Sequence, residues 1–313
     1  MRIGVDIMGG DFAPEATVLG AILAKKTLPD DVQLVLIGDQ EKIHEILARE
    51  KYDASRFEIV HTNECIEMGD HPAKAFNAKP NSSITIGFKM LYKNMLDGFA
   101  SAGNTGAMLV GTMYTVKAIP GVIRPCISSE LPQFGKNPSL LLDVGINPDC
   151  RPDVLYQYGM IGSVYANRVY GIEKPKVGLL NIGSEEKKGN LIVKSAFDLM
   201  KDNTEFNFIG NIESNQLFGD CPADVVVCDG FTGNVVLKQA EGMYHLLKKR
   251  NISDSFIDKF NFEIYGGTPV LGVNAPVIIG HGVSNDIAIK AMILKTKDVI
   301  EAKVTEKLIE IYK

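Results

Sequence analysis

Residues 97 to 111 read "DGFASAGNTGAMLVG". An apolar run stops at Ser101, small and polar residues follow, and an apolar helical pattern then begins. Residues 225 to 239, "VVVCDGFTGNVVLKQ", repeat the arrangement: strand, small polar loop, helix. The same alternation spreads outward along the chain, with short apolar runs ending in Gly, Asp or Asn before helical periodicity. Strands are expected at Arg2–Ile7, Val32–Ile37, Phe57–His61, Gly98–Ser101, Ser139–Val144, Lys176–Ile182, Glu205–Ile209 and Ala223–Cys228. Helices are expected to begin near Pro14, Gln40, Ser82, Gly106, Arg151, Asn190, Gln216, Asn234 and Ser284. This order predicts an α/β fold with a largely parallel sheet flanked by helices. Runs such as "LLLDV" and "VGLLNI" lack polar alternation, as strands buried on both faces do. No linker or low-complexity tract interrupts the pattern, so residues 1–313 read as a single domain.

Hydrophobic residues make up 45% of the chain and charged residues 23%, values that allow a large buried core. The net charge of −5 lacks the basic footprint of a nucleic-acid binder, and no nucleic acid is expected. Cys65, Cys126, Cys150, Cys221 and Cys228 form no C-x-x-C pair and read as thiols of a reducing cytoplasm. The start, "MRIGVDIMGGDFAPE", is no signal peptide, because Asp6 and Asp11 interrupt its apolar residues. No apolar run reaches the ~18 residues of a membrane-spanning helix. A cytoplasmic protein follows, with at most peripheral contact with the inner face of the cell membrane. No His and Cys spacing suggests a metal, and no cofactor is expected.

In open α/β sheets ligands bind at the carboxyl ends of the strands. The loops expected there are "DIMGGDFAPE", "SAGNTGA", "DVGINPDCRP", "NIGSEEKKGN", "GNIESN" and "DGFTGNVV", all poor in bulky side chains. A helix start offers unpaired N–H groups and a partial positive charge, and Gly lets an oxyanion approach them. Such turns suit an anion, above all a phosphate; capping and turn geometry alone would also use Gly and Asn. Neither G-x-G-x-x-G, G-x-x-x-x-G-K-[ST] nor G-x-S-x-G is present, and no covalent nucleophile stands out. The bound anion itself is then a candidate nucleophile.

Taken in order, these loops resemble the bacterial phosphate acyltransferase (PlsX) family of phospholipid synthesis. The matching stretches also include "LLLDVGINPD", "QYGMIGSVYA", "FIGNIE", "YGGTPVLG" and "APVIIGHGVS", and they run from residue 3 to about 285. The C-terminal third looks more loosely like phosphotransacetylases. The resemblance implies a three-layer isocitrate/isopropylmalate dehydrogenase-like fold. It also implies that acyl-[acyl carrier protein] and inorganic phosphate become acyl phosphate and free carrier. A phosphotransacetylase acting on acetyl-CoA, or a non-catalytic acyl- or phosphate-binding regulator, are the alternatives.

On that resemblance Ser101, Asn104, Thr105 and Gly106 are expected to bind phosphate, with Thr232, Gly233 and Asn234 as a second helix-start cradle. Asn181 and Asn211 either donate to the thioester carbonyl or satisfy turn backbone. Asp229 either orients a neighbouring donor or accepts a proton from phosphate. Asp11 and Asp143 pose the same choice and read as structural. His281 either caps its turn or returns a proton to the leaving thiol. The carrier protein is acidic, so Lys187 and Lys188 are expected to meet it, helped by Arg124, Lys136 and Arg151. One stretch departs from the family pattern: "KKRNISDSFIDKFNFEI", residues 248 to 264, is much shorter than the family's helical hairpin before "YGG". Ile252, Phe256 and Phe260 fall at i, i+4 and i+8 and predict one helical stripe, which packs on the body or on a second subunit. A homodimer through this segment, with weak membrane contact, is the expectation.

Overall fold

A computed structural model describes residues 1–313, the side chain of Phe262 excepted. In chain order the elements are β1 (Arg2–Asp6), α1 (Glu15–Lys25), β2 (Gln33–Gly38), α2 (Gln40–Arg49), β3 (Glu58–His61), α3 (Pro72–Ala78), α4 (Ser83–Tyr92), β4 (Gly98–Ser101) and α5 (Thr105–Gly111). Then come β5 (Cys126–Leu131), β6 (Ser139–Leu142), α6 (Pro152–Tyr170), β7 (Lys176–Asn181), α7 (Leu191–Lys201), β8 (Asn207–Glu213), β9 (Val225–Val227) and α8 (Gly230–Lys249). The chain closes with α9 (Phe262–Tyr265), β10 (Thr268–Leu271), β11 (Val277–Ile279), α10 (Asp286–Glu301) and α11 (Val304–Tyr312). Two compact units result: Met1–Lys117 with Phe262–Glu301, and Ala118–Asn261 with Ala302–Lys313.

In the first unit the strands lie in the order β3-β2-β1-β4-β11-β10. All pair in parallel except β10 with β11. Both faces of this sheet are covered, which is why its strands carry no polar alternation. On β4, Phe99 packs edge-on against Phe88 of α4, with ring centroids 5.2 Å apart. Helix α10 packs on β1, β4 and β11, and on α1. In the second unit the order is β5-β6-β9-β7-β8, parallel except for β5 with β6. Helix α6 packs on β6, β9 and β7 and carries α7 and α11. Its fully buried Tyr158 and Tyr165 are among the largest side chains of the core. The α/β architecture with a largely parallel sheet thus stands as the alternation predicts.

Several elements differ from expectation. β5, β10 and β11 are additional strands: the six residues of β5 mix polar and apolar side chains, and β10 and β11 span only four and three residues. β8 runs from Asn207 to Glu213, later than Glu205–Ile209. The helix expected near Gln216 is a single 3-10 turn, Ser214–Gln216. The chain turns away at Gly219, whose backbone pairs with Gln133 and Phe134. The stripe of Ile252, Phe256 and Phe260 is not one helix. Asn251 adopts a left-handed φ of 55° and ends α8, its N–H bonding to Lys248 O and that of Ile252 to Leu247 O. Asp254 then caps a separate 3-10 turn over Ile257–Phe260. Phe256 stacks on Phe134 at 4.1 Å and Phe260 on Phe218 at 5.1 Å, while Ile252 stays exposed. The two phenylalanines therefore pack on their own unit.

Candidate active site

In the first unit the small-residue turn after β4 is held from below. Asp6, at the carboxyl end of β1, is fully buried. Ser101 Oγ donates to Asp6 Oδ2 at 2.6 Å and accepts from Gly103 N at 2.9 Å, and Met8 N donates to Asp6 Oδ1 at 3.0 Å. The backbones of Gly9 and Gly103 meet so closely that a Cβ on Gly9 would collide with both Gly103 and Asp6. Burial pushes the Asp6 carboxyl above the usual carboxylate value, against the pull of the Ser101 and Met8 hydrogen bonds. Asn104 is the N-cap of α5: its Oδ1 accepts from Ala107 N at 2.9 Å. Its Nδ2 lies 3.0–3.2 Å from three carbonyl oxygens, those of Glu67, Met68 and Asp70. So the Asn104 side chain, like the Ser101 hydroxyl, is spent inside the protein. Thr105, at the first helical position, is exposed, and Gly106 is partly so.

A third loop joins this group. Asp11 N donates to Gly282 O at 2.8 Å, which seats the turn of His281 beside the "GGD" loop. His281 is exposed; its carbonyl accepts from Ser284 N, and its Nδ1 lies 3.5 Å from Val283 N. These bonds fit a turn-forming role. Asp11 is exposed and contributes its backbone.

The second unit builds the same device from other residues. Asp143, fully buried after β6, accepts from Ile127 N at 3.1 Å, Asn147 N at 2.7 Å and Asn147 Nδ2 at 3.1 Å, and also from the Ile146 amide. It shapes the 143–147 turn, the structural alternative for this residue. Helix α8 starts against that turn: a Cβ on Gly233 would run into Asp143 O, and Asn234 Nδ2 donates to Val144 O at 3.2 Å. Asp229 caps the helix, accepting from Thr232 N and from Thr232 Oγ1, each at 2.8 Å. It orients a neighbouring donor, and the Thr232 hydroxyl is engaged by it. What remains open at this helix start is Phe231 and Asn234, both exposed.

Asn181 and Asn211 are buried and brought to one loop. Asn181 Nδ2 donates to Lys188 O at 3.1 Å and Asn211 Nδ2 to Glu185 O at 2.9 Å. They satisfy turn backbone and hold the loop that presents Lys187 and Lys188, both exposed. Lys188 Nζ stands 3.9 Å from Glu185. Arg124 donates to Asp149 O at 2.9 Å, Lys136 to Cys221 O at 2.6 Å, and Arg151 pairs with Asp153 at 2.8 Å. All five cysteines are free, and burial pushes each thiol upward, Cys65 to about 12 and Cys150 to about 11. None is a ready thiolate. Among the described residues no cluster of His, Cys, Asp and Glu could hold a metal ion. No described helix is long and apolar enough to cross a membrane.

The bracing partners escape sequence reading. Asp6 and the carbonyls of Glu67, Met68 and Asp70 belong to segments remote from the loops they hold, and only the tertiary fold unites them. A single signal was available: "DIMGGD" and "LLLDVG" each carry an Asp at the end of an apolar run.

Among known proteins, the family described as "Fatty acid synthesis protein" matches residues 1–307. The phosphate acyltransferase of Dictyoglomus thermophilum is 40% identical over 329 aligned positions, covering 99% of this chain and 97% of the relative. That of Bacillus cytotoxicus is 40% identical, covering 97% and 96%. A phosphotransacetylase from Streptococcus pyogenes shares the fold at TM-score 0.65 and 16% identity, covering 96% of this chain and 94% of that one. The EutD phosphotransacetylase of Staphylococcus aureus does so at 0.63 and 17%, covering 96% and 93%. With two braced helix starts, and with relatives matched from end to end, the chain belongs to the phosphate acyltransferase family and is an acyltransferase.

Proposed function

We propose that the protein transfers the acyl group of an acylated acyl carrier protein to inorganic phosphate for phosphatidic acid and phospholipid synthesis. The products are acyl phosphate and free carrier. The observation that carries this reading is the pair of helix starts, each packed on a turn that a buried carboxylate organises. A bound phosphate attacks the thioester carbonyl: its oxygen forms the new C–O bond, the C–S bond breaks, and the electron pair leaves on sulfur. The thiolate takes up the proton given up by phosphate. A thiol of pKa about 8.5 leaves readily, and holding the reactants in line supplies much of the rate. Backbone N–H groups of Thr105 and Gly106 in the first unit, and the exposed Asn234 side chain in the second, are left to offer donors to the phosphate and the developing oxyanion, whereas the N–H groups of Thr232 and Gly233 are held by Asp229. Ser101, Asn104 and Asp229 position these turns rather than touch the substrate. No covalent enzyme intermediate is required, and the raised thiols agree with that.

The carrier docks at Lys187 and Lys188 with Arg124 nearby in role, opposite charge guiding the encounter. The protein acts in the cytoplasm as a homodimer through the exposed apolar side chains at the end of α8, Leu246 and Ile252, with weak peripheral membrane contact. The test is turnover of hexadecanoyl-carrier protein with phosphate, the product trapped by hydroxylamine. Phosphate-dependent hydroxamate in step with free carrier thiol is expected. Turnover of acetyl-CoA without any of the carrier substrate would make the protein a phosphotransacetylase. Phosphate binding without turnover of either thioester would make it a regulator.

A further inference from the structure

Helix α8 is twenty residues long, yet only Gly230 and Gly233 are buried. Its apolar side chains recur at the helical period: Val236, Ala240, Met243 and Leu247 fall at i, i+4, i+7 and i+11 on one stripe, with Val235 at its edge. Facing the stripe are Leu217, just beyond the end of β8, and Phe256 from the turn after α8. Between them lies a cavity of about 530 Å³ with no charged side chain in its lining.

We propose that this cavity takes the hydrocarbon chain of a long acyl substrate, its thioester end toward the start of α8. The inference rests on the acyl-transfer reading, which puts the reacting carbonyl at that helix start. The helix wall of the cavity begins at Val235, directly after Asn234 of the candidate phosphate turn. The opposite wall begins at Ser214, the first residue past β8, so the cavity opens at the carboxyl edge of the unit's sheet. From Val235 to Leu247 the helix rises roughly 18 Å, at about 1.5 Å per residue. An extended chain advances about 1.2 Å per bond, by the reach of an extended backbone, so this length takes a chain of roughly fifteen bonds. The volume falls within the ~300–1,000 Å³ typical of ligand sites. With no charge, and only Ser214, Gln239 and Tyr244 polar in its lining, the wall suits a neutral tail far better than a carboxylate or phosphate.

Ala240 sits midway along the stripe, and Ala240→Trp shortens the cavity there. Each buried methylene is worth about fourfold in binding, so losing a few of them costs tenfold to roughly a hundredfold. The probe is cis-parinaric acid, a fluorescent eighteen-carbon fatty acid. Wild type should bind it, palmitate but not butyrate should displace it, and Ala240→Trp should weaken it at least tenfold. Ala240→Leu, a milder change, should weaken it less. In turnover, the ratio of kcat/KM for hexadecanoyl over butanoyl carrier should fall by a similar factor. A ratio left unchanged in an active Ala240→Trp variant overturns the inference and leaves the acyl-transfer reading intact. No turnover of any thioester, with parinaric acid binding that Ala240→Trp abolishes, overturns the reaction and upholds the cavity. If wild type excludes parinaric acid and Ala240→Trp alters the oligomeric state by light scattering, a second copy of the chain fills the cavity and the inference falls.

Discussion

Asn104 and Thr105 are neighbours with opposite fates. The Asn104 side chain is buried, caps α5 and lies against three carbonyls of the 67–70 turn; that of Thr105 is exposed. Asn104→Ala should therefore cost about 3 kcal/mol of stability, from a lost cap and carbonyls left without a donor. Thr105→Val should leave denaturant midpoints near wild type and raise the KM for phosphate. Equal effects of both variants on stability and on phosphate KM would place them in one role and refute this division. Asp6 makes a pH prediction. Its folded carboxyl is raised above the ordinary value of 3.8, mainly by burial. Its favourable contribution is thus complete below that value and is lost as pH rises through the folded pKa. The stability advantage of wild type over Asp6→Asn should shrink as pH is raised from about 4, in denaturation series run side by side. A widening gap would mean that Asp6 is stabilised as the anion. The loops themselves were legible as tight turns between a strand and a helix start, because small residues, Gly and Asn cluster there. Their bracing was not, because the Asp6–Ser101 contact exists only once β1 and β4 lie side by side.

At the scale of elements, the loop between β7 and α7 is pinned at two points by Asn181 and Asn211. It displays Lys187 and Lys188 between two aliphatic side chains that stand far into solvent, Ile182 at 81% and Leu191 at 82% exposure. The loop is neutral overall, since Glu185 and Glu186 precede the two lysines, but its exposed Lys187 with apolar shoulders suits an acidic, amphipathic protein surface. Lys187→Glu with Lys188→Glu should slow association with the carrier and flatten its salt dependence, while small thioesters still react. Asn211→Ala should raise the KM for the carrier more than it lowers kcat. A double lysine variant equally impaired on both substrates would move the pair into the reacting centre. Most strands were readable because "SLLL", "KVGLLN" and "VVV" are buried on both faces and need no alternation. β5 was not, since its "CISSEL" mixes polar and apolar residues and pairs antiparallel with β6. The single turn at Ser214–Gln216 had helical-looking residues but no length beyond Gly219 in which to form a helix.

At the scale of the whole molecule, the outlet for exposed apolar surface near the end of α8 decides the assembly. The spacing of Ile252, Phe256 and Phe260 suggested one stripe, but the two phenylalanines are consumed by Phe134 and Phe218. Phe256→Asp with Phe260→Asp would therefore damage the unit's own packing, and dissociation in that variant would say little about an interface. The apolar side chains left outward are Leu246 and Ile252, and neither lines the cavity beside α8. Lys248 is paired with Asp258 at 3.0 Å, which leaves Lys249 and Arg250 to attract a bilayer. Two such charges contribute about 1 kcal/mol each near an anionic surface, too little for lasting attachment. Two-fold self-association is the commoner way to cover such a patch. Light scattering should accordingly report a dimer for wild type and a monomer for Leu246→Asp with Ile252→Asp, with circular dichroism unchanged. Flotation with anionic vesicles should be weak for both. A variant that stays dimeric but loses flotation would assign the patch to lipid, and a monomeric wild type would remove the dimer altogether.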